Sequence, residues 1–170
     1  MATTAWGLSM ALSQHSRCPP ADHLTEYRTH VPDTMGCEPN SRGFAALLAG
    51  FKSSGGLWCG DDLARLLEYR QCGDLGSLAR LMVSGDIFSF QWQGNVWVPM
   101  FQFDPSQLSV KQGARQVHGE LAPVFDGWML AAWFAQPNTW LKGRRPVDLL
   151  DLNLPAVCAA ARADRFVATG

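Results

Sequence analysis

Residues 127–150 read "GWMLAAWFAQPNTWLKGRRPVDLL", and the fold turns on how this stretch is divided. Asp126, just ahead of it, is a good N-cap for "GWMLAAWFAQ", because its carboxylate can accept from the free amides of the opening turn. Pro137 fixes the far end, since a proline pushes the residue before it out of helical geometry. The helix so defined is apolar nearly all round. Such a segment belongs in the centre of a bundle or on a surface that another protein covers. "TWLKG" is then a single turn with Gly143 as a left-handed stop. Pro146 starts a short helix, "PVDLLDL", and Pro155 starts the last one, "PAVCAAARADRFVATG".

Arg144 and Arg145 sit between Gly143 and Pro146, a dense positive spot in the most apolar third of the chain. Asp148 follows in the first turn of the next helix, where the helix dipole favours a carboxylate. Two readings stay open. The arginines form a clasp, bonding Asp148, Asp151 or exposed carbonyls at a helix end, or they face a partner, a role arginine fills equally well.

Working upstream, "GFAALLAGF" predicts a short apolar helix, and Asp61 or Asp62 can cap "DLARLLEYR", whose Leu63, Leu66 and Leu67 share one face. "QCGDLG" interrupts, and "SLARLMVSG" repeats the pattern with Leu78, Leu81 and Met82 up to Gly85. Two short helices across a tight turn have the outline of a helix-turn-helix. "DIFSFQWQGNVWVPMFQFD" alternates as strands do, turns at Gln93–Asn95, and loses regular pairing at Pro99, which predicts one β-hairpin. Beyond it, Val110, Ala114, Val117 and Leu121 keep helical spacing. The fold class is therefore mainly α: a small helical bundle with one β-hairpin between an N-terminal helix pair and a C-terminal helical region. The expected divisions are 1–42, 43–104 and 105–170.

Residues 1–42 look different, rich in proline, glycine and small polar residues without a sustained period, and read as an irregular arm with one short helix near 21–27. Cys18, His23, His30 and Cys37 are metal-ligand types, but their intervals fit no common zinc signature, so no metal is expected. Across the chain, 170 residues with 47% hydrophobic content suffice for a real core, and the net charge of −1 gives no global field for nucleic acid. The first residues lack the basic start and long apolar run of an export signal or a membrane span. Five cysteines without a CxxC pair fit free thiols in a reducing cytoplasm.

No catalytic constellation emerges. His118 and Glu120 are two apart on one helix and point to different faces, so they form no dyad, and His118 reads as a helix-surface histidine. Cys158 reads as a small packed residue, and Cys59 and Cys72 have no neighbouring base to activate them. There is no phosphate loop or dinucleotide fingerprint, so neither cofactor nor enzymatic activity is expected. Trp92, Trp97, Trp128 and Trp133 read as core. Trp140, beside the arginines, is the candidate exposed anchor, since aromatic and arginine residues dominate binding patches.

The order "FQFD" at 101–104, "GWMLAAWF" at 127–134, "PN" at 137–138, "LKGRRPVDLL" at 141–150 and "AVCAAAR" at 156–162 resembles the toxin-binding domain of Xre/MbcA/ParS-type antitoxins, partners of RES-domain toxins. The resemblance spans about 57–168 and is strongest over 97–162. It implies that Pro137, Asn138, Leu141, Gly143, Pro146 and Asp148 form a structural joint. It also implies that the C-terminal segment from Arg162 blocks the active-site cleft of a NAD-consuming or ADP-ribosylating toxin. Trp140, Arg144, Arg145, Arg162, Arg165, Phe166 and Val167 are the implied toxin-binding residues.

Many relatives carry a DNA-reading helix-turn-helix upstream. Here the second helix offers only Arg80 to a nucleic acid, where several basic residues are usual. The expectation is a cytoplasmic antitoxin-like module with a cognate RES-domain toxin as partner, no membrane association and a homodimer built on the apolar helix 127–135. The alternatives are a DNA-binding transcriptional regulator using residues 61–98 and an orphan adaptor.

Overall fold

The computed structural model describes residues 41–170, and the arm expected over 1–42, with its four metal-ligand-type side chains, lies almost wholly outside them. The chain enters through α1 (Ser41–Phe51), β1 (Leu57–Cys59), α2 (Gly60–Tyr69) and α3 (Leu75–Val83). A hairpin of β2 (Phe90–Trp92) and β3 (Asn95–Pro99) follows, and then α4 (Gln112–Leu121) and α5 (Gly127–Ala135). The short α6 (Pro146–Leu149) and the long α7 (Leu154–Thr169) complete the fold. The class is mainly α with a small sheet, as the periodicity predicts.

The sheet holds more than the predicted hairpin. Its order is β1-β3-β2, all antiparallel, with Trp58 opposite Val98 and Gln91 opposite Val96. "LWC" is too short to show alternation, so β1 leaves no readable period. The β2–β3 turn is Gln93 and Gly94, both at positive φ (48° and 75°), the backbone that a two-residue hairpin needs to match strand twist.

Residues 41–104 and 105–170 share one core. Phe44, Leu47 and Phe51 line one face of α1, and the Phe44 ring lies flat on Trp92 with centroids 3.7 Å apart. Leu130, Ala131, Phe134 and Ala135 of α5 are buried in the same cluster as these, together with Ala114, Val117 and Leu121 of α4. On α7, Val157, Cys158, Ala160 and Ala161 make a small-residue face against it. A second cluster joins Leu63 and Leu67 of α2 to Leu78, Ile87, Val98 and Phe103. The all-round apolarity of α5 is thus used inside the protein. Met129 is its one exposed large apolar side chain, and the helix itself supplies little motive for a dimer.

Two close approaches explain glycines. A Cβ on Gly127, the first residue of α5, would stand 1.9 Å from the Ser89 carbonyl oxygen. On Gly50 it would meet the Ala135 Cβ at 2.7 Å, so α1 and α5 cross almost backbone to backbone. Gln102 is buried in the core and pairs backbone groups just ahead of β2 and at the end of β3. Its side-chain amide donates to the Phe88 carbonyl at 2.9 Å and the Pro99 carbonyl at 3.1 Å, and its oxygen accepts from the Phe88 amide at 2.8 Å. Each bond satisfies a group whose unpaired burial is costly.

Several local expectations need correction. Cys59, not Asp61 or Asp62, precedes α2 as its N-cap residue, and the two aspartates lie in the first turn. His118 is buried rather than on the helix surface, with its ring tilted against Phe88 at 5.6 Å. Ala114, Val117, His118 and Leu121 form the buried face of α4, whereas Val110 lies ahead of the helix, half-buried and bridged to Phe103, so the expected stripe begins one turn too early. Asp126 does cap α5, accepting from the Met129 amide at 2.8 Å. No helix among the described residues is long and apolar enough to cross a membrane.

Candidate functional site

At the joint, the chain closes on itself. The Asn138 amide donates to the Arg144 carbonyl at 3.0 Å, and the Gly143 amide donates to the Asn138 carbonyl at 2.9 Å. Lys142 and Gly143 take consecutive left-handed conformations (φ 57° and 77°) to make that reversal, a geometry that glycine accepts freely and lysine only under constraint. Leu141 is buried beneath the loop, and Pro146 is buried at the start of α6.

The two arginines divide the two roles. Arg145 makes a bidentate fork on Asp148, with Nε at 2.6 Å and Nη2 at 2.7 Å, while Nη1 donates to the Gly50 carbonyl at 2.9 Å. It therefore clasps α6 to the C-terminal end of α1, a helix 95 residues away in sequence. The hydrogen bonds that Arg145 donates to Asp148 raise its pKa above the ordinary value. Arg144 is exposed and has no side-chain partner among the described residues. Its neighbour Lys142 is exposed too.

Asp164 on α7 is the hub that the sequence did not reveal. One of its carboxylate oxygens accepts from Trp133 Nε1 and Asn138 Nδ2, both at 2.7 Å, and the other accepts from Trp140 Nε1 at 2.8 Å. Asn138 Oδ1 in turn accepts from the Trp140 amide at 2.9 Å. Two indoles and an asparagine thus tie α5, the joint and α7 together through one carboxylate, and charge-assisted bonds of this kind are stronger than neutral ones. Trp140 remains 58% exposed. Its ring is presented to solvent while its N–H is held.

On the other side of α7, Glu120 of α4 receives two arginines: Arg162 Nε at 3.3 Å and Arg165 Nη1 at 2.7 Å. Both are implied toxin-binding residues, and both are engaged within the chain. Phe166 and Val167 are not. They stand 77% and 69% exposed on the last turn, and the segment expected as a tail is helical through Thr169.

The structure therefore brings Trp140 and Asn138 together on Asp164 of α7, places Arg162 and Arg165 on Glu120, and places Arg145 on the clasp. Arg80 lies apart on α3, its Nη2 donating to Ser77 Oγ at 3.2 Å. The exposed face of α3 carries Leu75, Ala79 and Val83 beside it, which is apolar rather than basic. Of the described cysteines, Cys72 and Cys158 are free thiols and Cys59 is not. Burial raises the Cys158 pKa, and a neutral buried thiol is inert. Sequence reasoning missed Asp164, and it named Glu120 and Gln102 without the partners they hold. The one available signal is that buried or half-buried tryptophan N–H groups need acceptors, and it does not say which carboxylate supplies one.

No protein-family model, no curated protein and no solved structure matches this chain. The antitoxin resemblance rests on the residues alone.

Proposed function

We propose that the chain is an antitoxin-like protein-binding module that neutralises a RES-type toxin by filling its active-site cleft with the end of α7. The observation that carries this reading is the contrast within that helix. Asp164 and Glu120 fix its last turns from two sides, while Phe166 and Val167 of the same turns are exposed among the described residues. A rigidly held helix end with exposed apolar side chains loses little conformational entropy on docking, and preorganisation of this kind raises affinity. Trp140 and Arg144 extend the surface beside it as an aromatic and a cation free to face a partner.

The geometry refines the implied mechanism. On this reading Arg162 and Arg165 hold α7 to α4, Arg145 holds α6 to α1, and the contact residues are Phe166, Val167, Trp140 and Arg144. Removing residues 163–170 would delete Asp164 along with the plug, so substitution is the cleaner test. In cells co-expressing a RES-domain toxin encoded beside this gene, the wild-type chain should restore growth. The Phe166→Asp/Val167→Asp double variant should not, although it accumulates and melts like wild type. Full rescue by the double variant would refute blocking by the α7 end.

The regulator reading rests on the α2–α3 hairpin, with Arg80 as the one cation on the face of α3 where a reader would need several. Promoter binding by the wild-type chain whose affinity and salt slope both fall in Arg80→Ala is the result that would favour it.

A further inference from the structure

We infer that the groove between the C-terminal end of α2, β1 and α6 is a binding site for a small amphipathic carboxylic acid, a function separate from the α7 surface. The groove encloses about 810 Å³, within the range of small-molecule sites. Phe101, Phe103, Leu108 and Leu150 are buried residues on its lining, and the half-buried Met100 and the Trp58 ring complete an apolar surface suited to an alkyl or aryl body.

The charge at its rim selects the head group. Four charged side chains line the groove: Arg70, Lys111, Asp148 and Asp151. Lys111 is paired with Asp151 at 2.6 Å, and Asp148 is held in the Arg145 fork. Arg70 alone has no side-chain partner among the described residues. One uncompensated guanidinium beside an apolar trough complements an apolar chain ending in a single carboxylate, which the planar fork can bind bidentately. A neutral chain would leave the guanidinium unused, and a dianion would meet the two rim aspartates.

Dodecanoate, kept below its aggregation concentration, is the probe, titrated calorimetrically into the full chain. Saturable binding at one site per chain is expected. Arg70→Gln, at an exposed position that leaves the fold intact, should weaken it about tenfold, the scale of a lost charge-assisted bond. Dodecanol should bind wild type and Arg70→Gln alike. A second variant, Leu152→Glu at the exposed rim, should weaken dodecanoate and leave dodecanol unchanged. Absence of saturable binding overturns the inference, as does equal dodecanoate affinity in wild type and Arg70→Gln. Both results leave the toxin-binding reading untouched, since neither Arg70 nor Leu152 belongs to it.

Discussion

The joint and the α2–α3 hairpin are both short helical pieces linked by tight turns, yet they are held in opposite ways. At the joint, polar groups meet partners distant in sequence: Arg145 reaches Gly50 and Asn138 reaches Asp164. In α3, Leu78 is the only buried residue, and the cap is local, with Asp74 accepting from the Ser77 amide at 2.7 Å. Leu75 and Val83 of that helix stand 56% and 89% exposed. Few buried apolar contacts and local bonds mark a segment that opens at low cost, whereas a mesh of long-range bonds opens only with the whole domain. Rigidity is concentrated where a partner is proposed to bind, and the outline of a DNA reader falls on the looser element.

That contrast breaks most visibly at Asp164. Asp164→Ala leaves two indole N–H groups and the Asn138 amide without their acceptor, and should cost about 2–3 kcal/mol in urea unfolding. A loss below about 0.5 kcal/mol would mean the hub is ornamental. Arg145→Ala removes the fork to Asp148 and the tie to Gly50. Because the pair is partly exposed, about 1–2 kcal/mol is expected from the same measurement. If stability is unchanged while toxin affinity drops, Arg145 is an interface residue and the clasp reading is wrong.

His118 sharpens the comparison through pH. Burial lowers its pKa below the ordinary 6.5, with a hydrogen bond to the Gly85 backbone acting the other way. The unfolded chain then binds the proton more readily than the folded one. Stability should therefore fall as pH drops from about 6.5 through the lower folded value, and level off beneath it. In melts between about pH 6.5 and 5, above the range where carboxylates dominate, His118→Phe should show a shallower decline than wild type. Parallel declines would place the titration elsewhere. The smallest effect belongs to α3, where the pair Leu75→Ser and Val83→Ser should change stability by no more than about 0.5 kcal/mol, as exposed substitutions do. A large loss would mean that this face is covered.

How much of this was legible in the sequence follows the same division. Caps, stops and periods are local, and they placed α5 behind Asp126, the turn at Gly143 and the start of α6 at Pro146. The half-buried helix hairpin was legible for the same reason. What escaped was long-range. β1 needs β3 to be recognised as a strand, Gln102 needs Phe88, and nothing within five residues of Asp164 or Glu120 announces its partners. His118 escapes a sequence reading because the segment that covers it, around Gly85 and Phe88, is about thirty residues away in the chain. The candidate surface was half legible, because exposure at Phe166 and Val167 fits the reading while the engagement of Arg162 and Arg165 with Glu120 depends on how α4 meets α7.

The most direct test is the affinity of a RES-domain toxin for the Phe166→Asp/Val167→Asp variant, measured by calorimetry beside the melting temperature of each chain. Wild-type binding is expected, with a loss of at least about a hundredfold in the variant, the scale of two interface hot spots, and matching melts. Equal affinity for both chains would contradict blocking by the α7 end.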